Sequence, residues 1–153
     1  MPPKPLAADT PVIGWREWVF LPTLGDIVVK AKVDTGARTS AIHATNVEPF
    51  DRNDDQWVRF LVHPDHDDPD VTKSVEARLV DRRHIRSSSG NQEHRYVVHV
   101  KASLHGVTFP IELTLTERSD MGFRMLLGRR AVRRRFLIDG SRSYLGGRRP
   151  SVG

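Results

Sequence analysis

Cysteine is absent from this chain of 153 residues. That excludes disulfides, thiolate zinc sites and cysteine nucleophiles at once. Long apolar runs are missing too. No segment approaches the roughly 18 consecutive apolar residues of a membrane-spanning helix. The proline-rich opening, Met1 to Pro11, lacks the apolar stretch of a signal peptide. A soluble cytoplasmic protein with no membrane partner is the expectation. There is no Gly-x-x-x-x-Gly-Lys-Ser/Thr cradle for nucleotide phosphates and no His-Glu-x-x-His helix for catalytic zinc. The pair in His63-Pro64-Asp65-His66 is interrupted by proline and flanked by acids, which suits a loop better than a metal site. No metal and no other cofactor are therefore expected. Lysine is scarce as well: 5 against 19 arginines, within a net charge of +5. The planar guanidinium is the better fork for carboxylate and phosphate, so such a surface favours acidic peptides or nucleic acid.

What is present is organised around Val33-Asp34-Thr35-Gly36-Ala37. An alternating stretch leads into it, with Ile27, Val29, Ala31 and Val33 on one face and Val28, Lys30 and Lys32 on the other. Period-two alternation is the mark of a half-buried strand, and a glycine after it permits a sharp bend. A carboxylate therefore stands at a strand end, where turn amides can donate to it and hold it. An ordinary Asx turn has the same residues, so the tripeptide alone does not assign a function.

A chain of this length suits one domain with a core large enough to need no staples. We expect a disordered arm over 1–11, the domain over 12–145 and a basic tail over 146–153. Val12 to Leu24 reads as a first strand, and Gly25-Asp26 turns it back into the strand ending at Asp34 as a hairpin. Arg38 to Val47, Gln56 to His63, Ser74 to Val80, Tyr96 to Ala102 and Thr108 to Thr116 are further strand segments. In the last of these Ile111, Leu113 and Leu115 alternate with Glu112, Thr114 and Thr116, a one-face-buried antiparallel pattern. Asp51, Asp54 and Asp55, with Asp65, Asp67, Asp68 and Asp70, read as solvated loops rather than metal ligands. Ser87-Ser88-Ser89-Gly90-Asn91 is a flexible turn. Met125-Leu126-Leu127-Gly128 is a buried strand ending in glycine, Arg129 to Arg135 a short helix, and Phe136 to Asp139 and Tyr144-Leu145 the last strand pieces. Arg129, Arg130, Arg133, Arg134 and Arg135 suit RNA phosphate, an acidic peptide or plain solvent. Many short strands, Gly-rich turns, one helix and no repeat describe an all-β domain, closed or nearly closed.

Three stretches carry a longer pattern. Gly14-Trp15-Arg16-Glu17-Trp18, Leu21-Pro22 and Lys30-Ala31-Lys32-Val33-Asp34-Thr35-Gly36-Ala37-Arg38-Thr39-Ser40-Ala41 together closely resemble a bacterial family of retropepsin-like aspartic peptidases. Its members often carry the misleading label of ATP-dependent zinc proteases and are associated with the ligase that adds glutamates to ribosomal protein S6. The resemblance runs from about Val12 to about Leu145. Leu126-Leu127-Gly128, about ninety residues after Asp34, resembles the family's second element, two apolar residues and a glycine packed beside the catalytic turn. The resemblance implies a retropepsin-like β-barrel, with Asp34 catalytic and Thr35 tying two such turns together. It gives Gly36 and Ala37 the role of leaving room for the substrate backbone. A mobile hairpin closes over substrate in this fold, and Arg86 to Glu93 is the candidate.

The chemistry needs two carboxylates across one water, sharing a proton because two like charges so close cannot both ionise. This chain has one Asp-Thr-Gly, so the dyad implies a homodimer with an Asp34 from each subunit. The association with the S6 ligase implies an acidic substrate, the glutamylated tails of that ribosomal protein, and with it ribosome association. Arg38, four positions after Asp34, and Arg86 and Arg95, which flank the hairpin, are the candidate substrate contacts; structural pairing with local acids is their alternative role. A non-catalytic protease-like β-domain that binds acidic peptides or RNA through its arginines is the rival reading.

Overall fold

The computed structural model describes residues 9–65, 67–68, 70–86, 92–117 and 122–147, with the backbone alone at 84–86 and 92–94. Its elements are β1 (Val12–Gly14), β2 (Arg16–Leu21), β3 (Ile27–Asp34), β4 (Ser40–Arg52), β5 (Asp55–Val62), β6 (Lys73–Arg86), β7 (Gln92–Leu104), β8 (Val107–Thr116), β9 (Met125–Gly128), α1 (Arg129–Val132) and β10 (Leu137–Asp139). Eight strands form one sheet in the order β2-β3-β9-β4-β5-β6-β7-β8. The parallel β4–β8 pairing closes β4 to β8 into a ring. Phe20 opposite Ser103 nearly closes a second ring from β2, β3, β9, β4, β8 and β7. The fold is thus all-β and nearly closed, with one short helix among the described residues, as its alternating pattern implies. No helix among the described residues is long and apolar enough to cross a membrane.

The core is the inward face of these strands. Val19 and Leu21 from β2, Val29 and Ala31 from β3, Val58, Phe60 and Val62 from β5, and Leu113 from β8 are fully buried. Burial of each valine, leucine or phenylalanine among them contributes about 1.5–3 kcal/mol. Hairpin turns set the register. Arg52 and Asp55 pair across Asn53-Asp54, with φ of 50° and 67°. Leu104 and Val107 pair across His105-Gly106, with φ of 53° and 78°. Two consecutive positive φ values match the right-handed twist of the flanking strands, and Asn, Asp and Gly tolerate them.

Several strand segments differ from their expected bounds. The single first strand divides at Trp15, because the Trp15 amide donates to the Arg142 carbonyl (2.9 Å) while the Trp15 carbonyl accepts from Val33 (2.8 Å). On its near side β1 pairs in parallel with β10, as a small separate sheet. β4 runs on to Arg52 rather than stopping near Val47, through a bulge between Thr45 and Glu48 where Asn46 has φ 52°. Asp51 and Asp55 are therefore strand residues flanking a tight turn, not loop acids. The helix ends at Val132 instead of Arg135, since Arg133 is extended and Arg134 has φ 66°. Tyr144-Leu145 is no strand: Tyr144 has φ 56°, and the Leu145 amide is bound by a side chain.

Candidate active site

β3 ends at Asp34, which pairs in parallel register with Gly128 of β9. The chain then bends: the Ala37 amide donates to the Asp34 carbonyl (3.2 Å), and the Gly36 amide donates to Asp34 Oδ1 (3.0 Å). Asp34 remains half-exposed with one carboxylate oxygen so held. Gly36 leaves the space over it open, since an added Cβ there would meet only Asp34 Oδ1, at 3.2 Å. The turn is pinned from the other side. The Arg129 and Arg130 amides donate to the carbonyls of Ala37 (2.7 Å) and Arg38 (3.1 Å), and Arg129 Nη1 donates to the Thr35 carbonyl (3.1 Å).

Leu126-Leu127-Gly128 packs beside this turn. β9 lies between β3 and β4, parallel to the first and antiparallel to the second. Leu127 is buried, while Leu126 is half-exposed and reaches a cavity of about 220 Å³. Gly128 sits so close to β4 that a Cβ would stand 2.5 Å from the Thr39 carbonyl, and its amide donates to the buried Ser40 Oγ at 3.0 Å. A strand, a turn and a helix start are thus fastened together around one carboxylate.

A profile of the RimB-like family, described as retropepsin-like aspartic endopeptidase RimB, matches residues 12–149. The chain belongs to this family. Three relatives are each named probable alpha-L-glutamate ligase. That from Shewanella pealeana is 47% identical over 133 residues, 87% of this chain and 29% of that protein. That from Shewanella halifaxensis is 45% identical over 92% of this chain and 31% of its own length. That from Desulfotalea psychrophila is 45% identical over 84% of this chain and 28% of that protein. The chain therefore spans under a third of these longer proteins. The solved structure of Lpg0085 from Legionella pneumophila, a protein of unknown function, superposes with a TM-score of 0.76 at 24% identity. It covers 90% of this chain and 99% of its own; at that identity it speaks for the fold.

The arginines expected from the sequence as substrate contacts are partly brought together. Arg38 and Arg95 line the cavity that Leu126 reaches, and a third arginine, Arg83 of β6, joins them. Arg86 sits on the same hairpin, opposite Gln92, but its side chain lies outside the described residues. So does the proposed hairpin tip at 87–91. The helix arginines are in part structural: Arg135 Nη1 donates to the carbonyls of Arg130 and Ala131, with its guanidinium over Phe109. His63 is hydrogen-bonded to Thr45 (2.8 Å) and stands against His43 (4.8 Å between rings), while His66 lies outside the described residues. Among the described residues no three His, Asp or Glu side chains gather as a metal site would require.

Besides Arg83, two residues escaped the sequence reading. Glu17 is fully buried and accepts from the amides of Gly14 (2.7 Å), Leu145 (2.8 Å) and Gly146 (2.9 Å), so it joins both ends of the domain. Its place in the Gly-Trp-Arg-Glu-Trp stretch, among aromatics on a strand, was the available signal. His43 is buried too, and its amide donates to the carbonyl of Arg124, just before β9 (2.8 Å). Burial first, and then the neighbouring His63 and Arg124, hold its pKa below the ordinary imidazole value.

Proposed function

We propose that this chain is a homodimeric aspartic endopeptidase in which Asp34 of each subunit flanks one water, acting on acidic peptides such as the glutamylated tails of ribosomal protein S6. The observation that carries it is the half-exposed Asp34, fixed by the Gly36 amide on a turn pinned by β9 and α1. One carboxylate per chain is half of a dyad, and a two-fold axis beside the turn supplies the other.

The steps follow from the pair. The ionised Asp34 takes a proton from the water as its oxygen attacks the peptide carbonyl carbon, and the protonated Asp34 gives its proton to the carbonyl oxygen. The tetrahedral intermediate then collapses. The carboxyl that took the water's proton passes it to the amine nitrogen, the C–N bond breaks, and a diol proton returns to the other carboxylate. One shared proton is restored. The fixed turn supports this, since a dyad gains most when its groups are positioned before substrate arrives.

The substrate class rests on two supports. Arginines line the cavity beside the turn, and the same domain forms part of longer proteins named probable alpha-L-glutamate ligase. A domain joined to an enzyme that adds glutamate is well placed to remove it.

The test is Asp34→Asn. An amide can neither accept the water's proton nor hold the shared one, so hydrolysis should fall by about 10²–10⁴-fold or more while circular dichroism and the melting transition stay native. An Asp34→Asn protein that keeps near-full turnover would reject the reading, as would activity lost on chelation and restored by zinc alone.

A further inference from the structure

The cavity beside the catalytic turn is unusual in its charge. Arg83 on β6 and Arg95 on β7 are direct cross-strand partners, and Arg38 of the turn lines the same cavity. Like charges directly opposite on neighbouring strands destabilise a sheet. Asp81 offsets this in part, accepting from Arg83 Nε at 2.8 Å, and Glu112 lies 3.5 Å from Arg83 Nη2. Neither acid lines the cavity: among the described residues no carboxylate does. A neighbouring cavity of similar volume does contain one, since Glu112 lies there with His99, Arg130 and Arg135. The remaining walls are Ala37 and Thr39 of the turn, Ser40 and Ala41 of β4, the Thr114 and Thr116 face of β8 and the apolar Leu126. An apolar floor with cationic walls matches a short aliphatic stem that ends in a carboxylate, and guanidinium forks bind that group with charge-assisted hydrogen bonds.

We infer that Arg38, Arg83 and Arg95 form a carboxylate-reading subsite next to the cut bond, and that the dimer demands an acidic residue on both sides of that bond. This rests on the dimeric peptidase reading above and adds the pattern of residues it accepts. A two-fold axis through the dyad repeats the cavity, so one copy faces the residue before the bond and the other the residue after it. The bond cleaved is therefore one between two acidic residues. The bond joining the first glutamate of a tail to a non-acidic residue is spared, and a trimmed tail keeps an acidic stub.

The experiment uses the full chain and one peptide sequence in four versions, with Glu-Glu, Gln-Glu, Glu-Gln or Gln-Gln at the cut position, and mass spectrometry to locate the cut. Each Gln should lower kcat/KM by about tenfold or more, the effect of losing one hydrogen bond to a charged group. Arg83→Met and Arg95→Met should collapse the Glu-over-Gln ratio towards one, and Arg83→Lys should restore part of it. A requirement on one side alone overturns the symmetric subsite. Variants that slow all four peptides by one factor, leaving the ratio intact, show a structural role and also overturn it. Binding of a labelled glutamate tetrapeptide to Asp34→Asn keeps this separate from the peptidase reading. A preference over the glutamine peptide that vanishes in Asp34→Asn/Arg83→Met supports the subsite even in a protein that cuts nothing. No preference rejects the subsite even where cleavage is confirmed.

Discussion

Glu17 and Asp34 are both strand carboxylates held by backbone amides, yet their surroundings set them to different work. Glu17 is fully buried and takes three amide donors; Asp34 is half-exposed and takes one turn amide, on Oδ1 alone. Glu17→Gln turns an NH₂ towards amide donors whichever way the side chain lies. The variant should be destabilised by about 2–3 kcal/mol, the range for a lost hydrogen bond to a charged group plus a buried donor left unpaired. Urea unfolding should show a lower midpoint with an unchanged slope. His43 gives a pH prediction. It is packed against His63 on one side and Arg124 on another, with Glu117 nearby, and its folded-state pKa lies below the ordinary value of 6.5. The unfolded chain then binds more protons than the folded one between those two values. Stability from this group is complete above about pH 6.5 and is lost as pH falls towards the folded value. The slope of unfolding free energy against pH in that window should flatten in His43→Gln; an unchanged slope would assign the dependence to other groups.

At the scale of elements, β9 is the piece on which the site depends, and it is where sequence reasoning was most and least successful. Its existence and end were legible, because three apolar residues before a glycine have few other uses in a β domain. Its place between β3 and β4 was not, since nothing local in Met125–Gly128 says which strands it joins. The length of β4 was hidden by Asn46 and Asn53-Asp54, polar residues that read as loop but serve as bulge and hairpin turn. The helix was overdrawn because arginine favours helix, while the carbonyl contacts of Arg135 serve the short helix's end. Arg83 was missed for a related reason: an arginine's partner across a hairpin depends on register, and a bulge between Leu79 and Asp81 shifts it. Gly128→Ala tests the close approach directly. A Cβ 2.5 Å from the Thr39 backbone forces β9 and β4 apart, at about 1–3 kcal/mol for overpacking. The turn held by the Arg129 and Arg130 amides moves with them. Turnover should therefore fall by more than the loss of stability accounts for, measured as kcat of the fully folded variant. A variant with native kcat would mean that the turn is held without β9.

For the whole molecule, the proposed half-site makes concentration part of the activity. On the proposed mechanism one Asp34 cannot polarise a carbonyl and activate a water together, so that mechanism requires a dimer. Specific activity should fall on dilution below the dimer dissociation constant, with rate becoming second order in protein. Mixing supplies a control that dilution alone does not. With excess Asp34→Asn subunits most wild-type chains pair with a defective partner, so activity falls as the square of the wild-type share rather than linearly. Linear loss, or full specific activity from a species of monomer mass in sedimentation, would reject the shared dyad. Salt separates assembly from recognition. Arginines at the cavity attract an acidic peptide over distances that added salt screens to about 8–10 Å at physiological ionic strength. Raising salt at a protein concentration far above the dimer constant should therefore raise KM for a glutamate-rich peptide and leave kcat nearly constant. For the matching glutamine peptide KM should hardly move. If both peptides lose kcat together as salt rises, the charge acts on the dimer itself, and the arginines would be assigned to assembly.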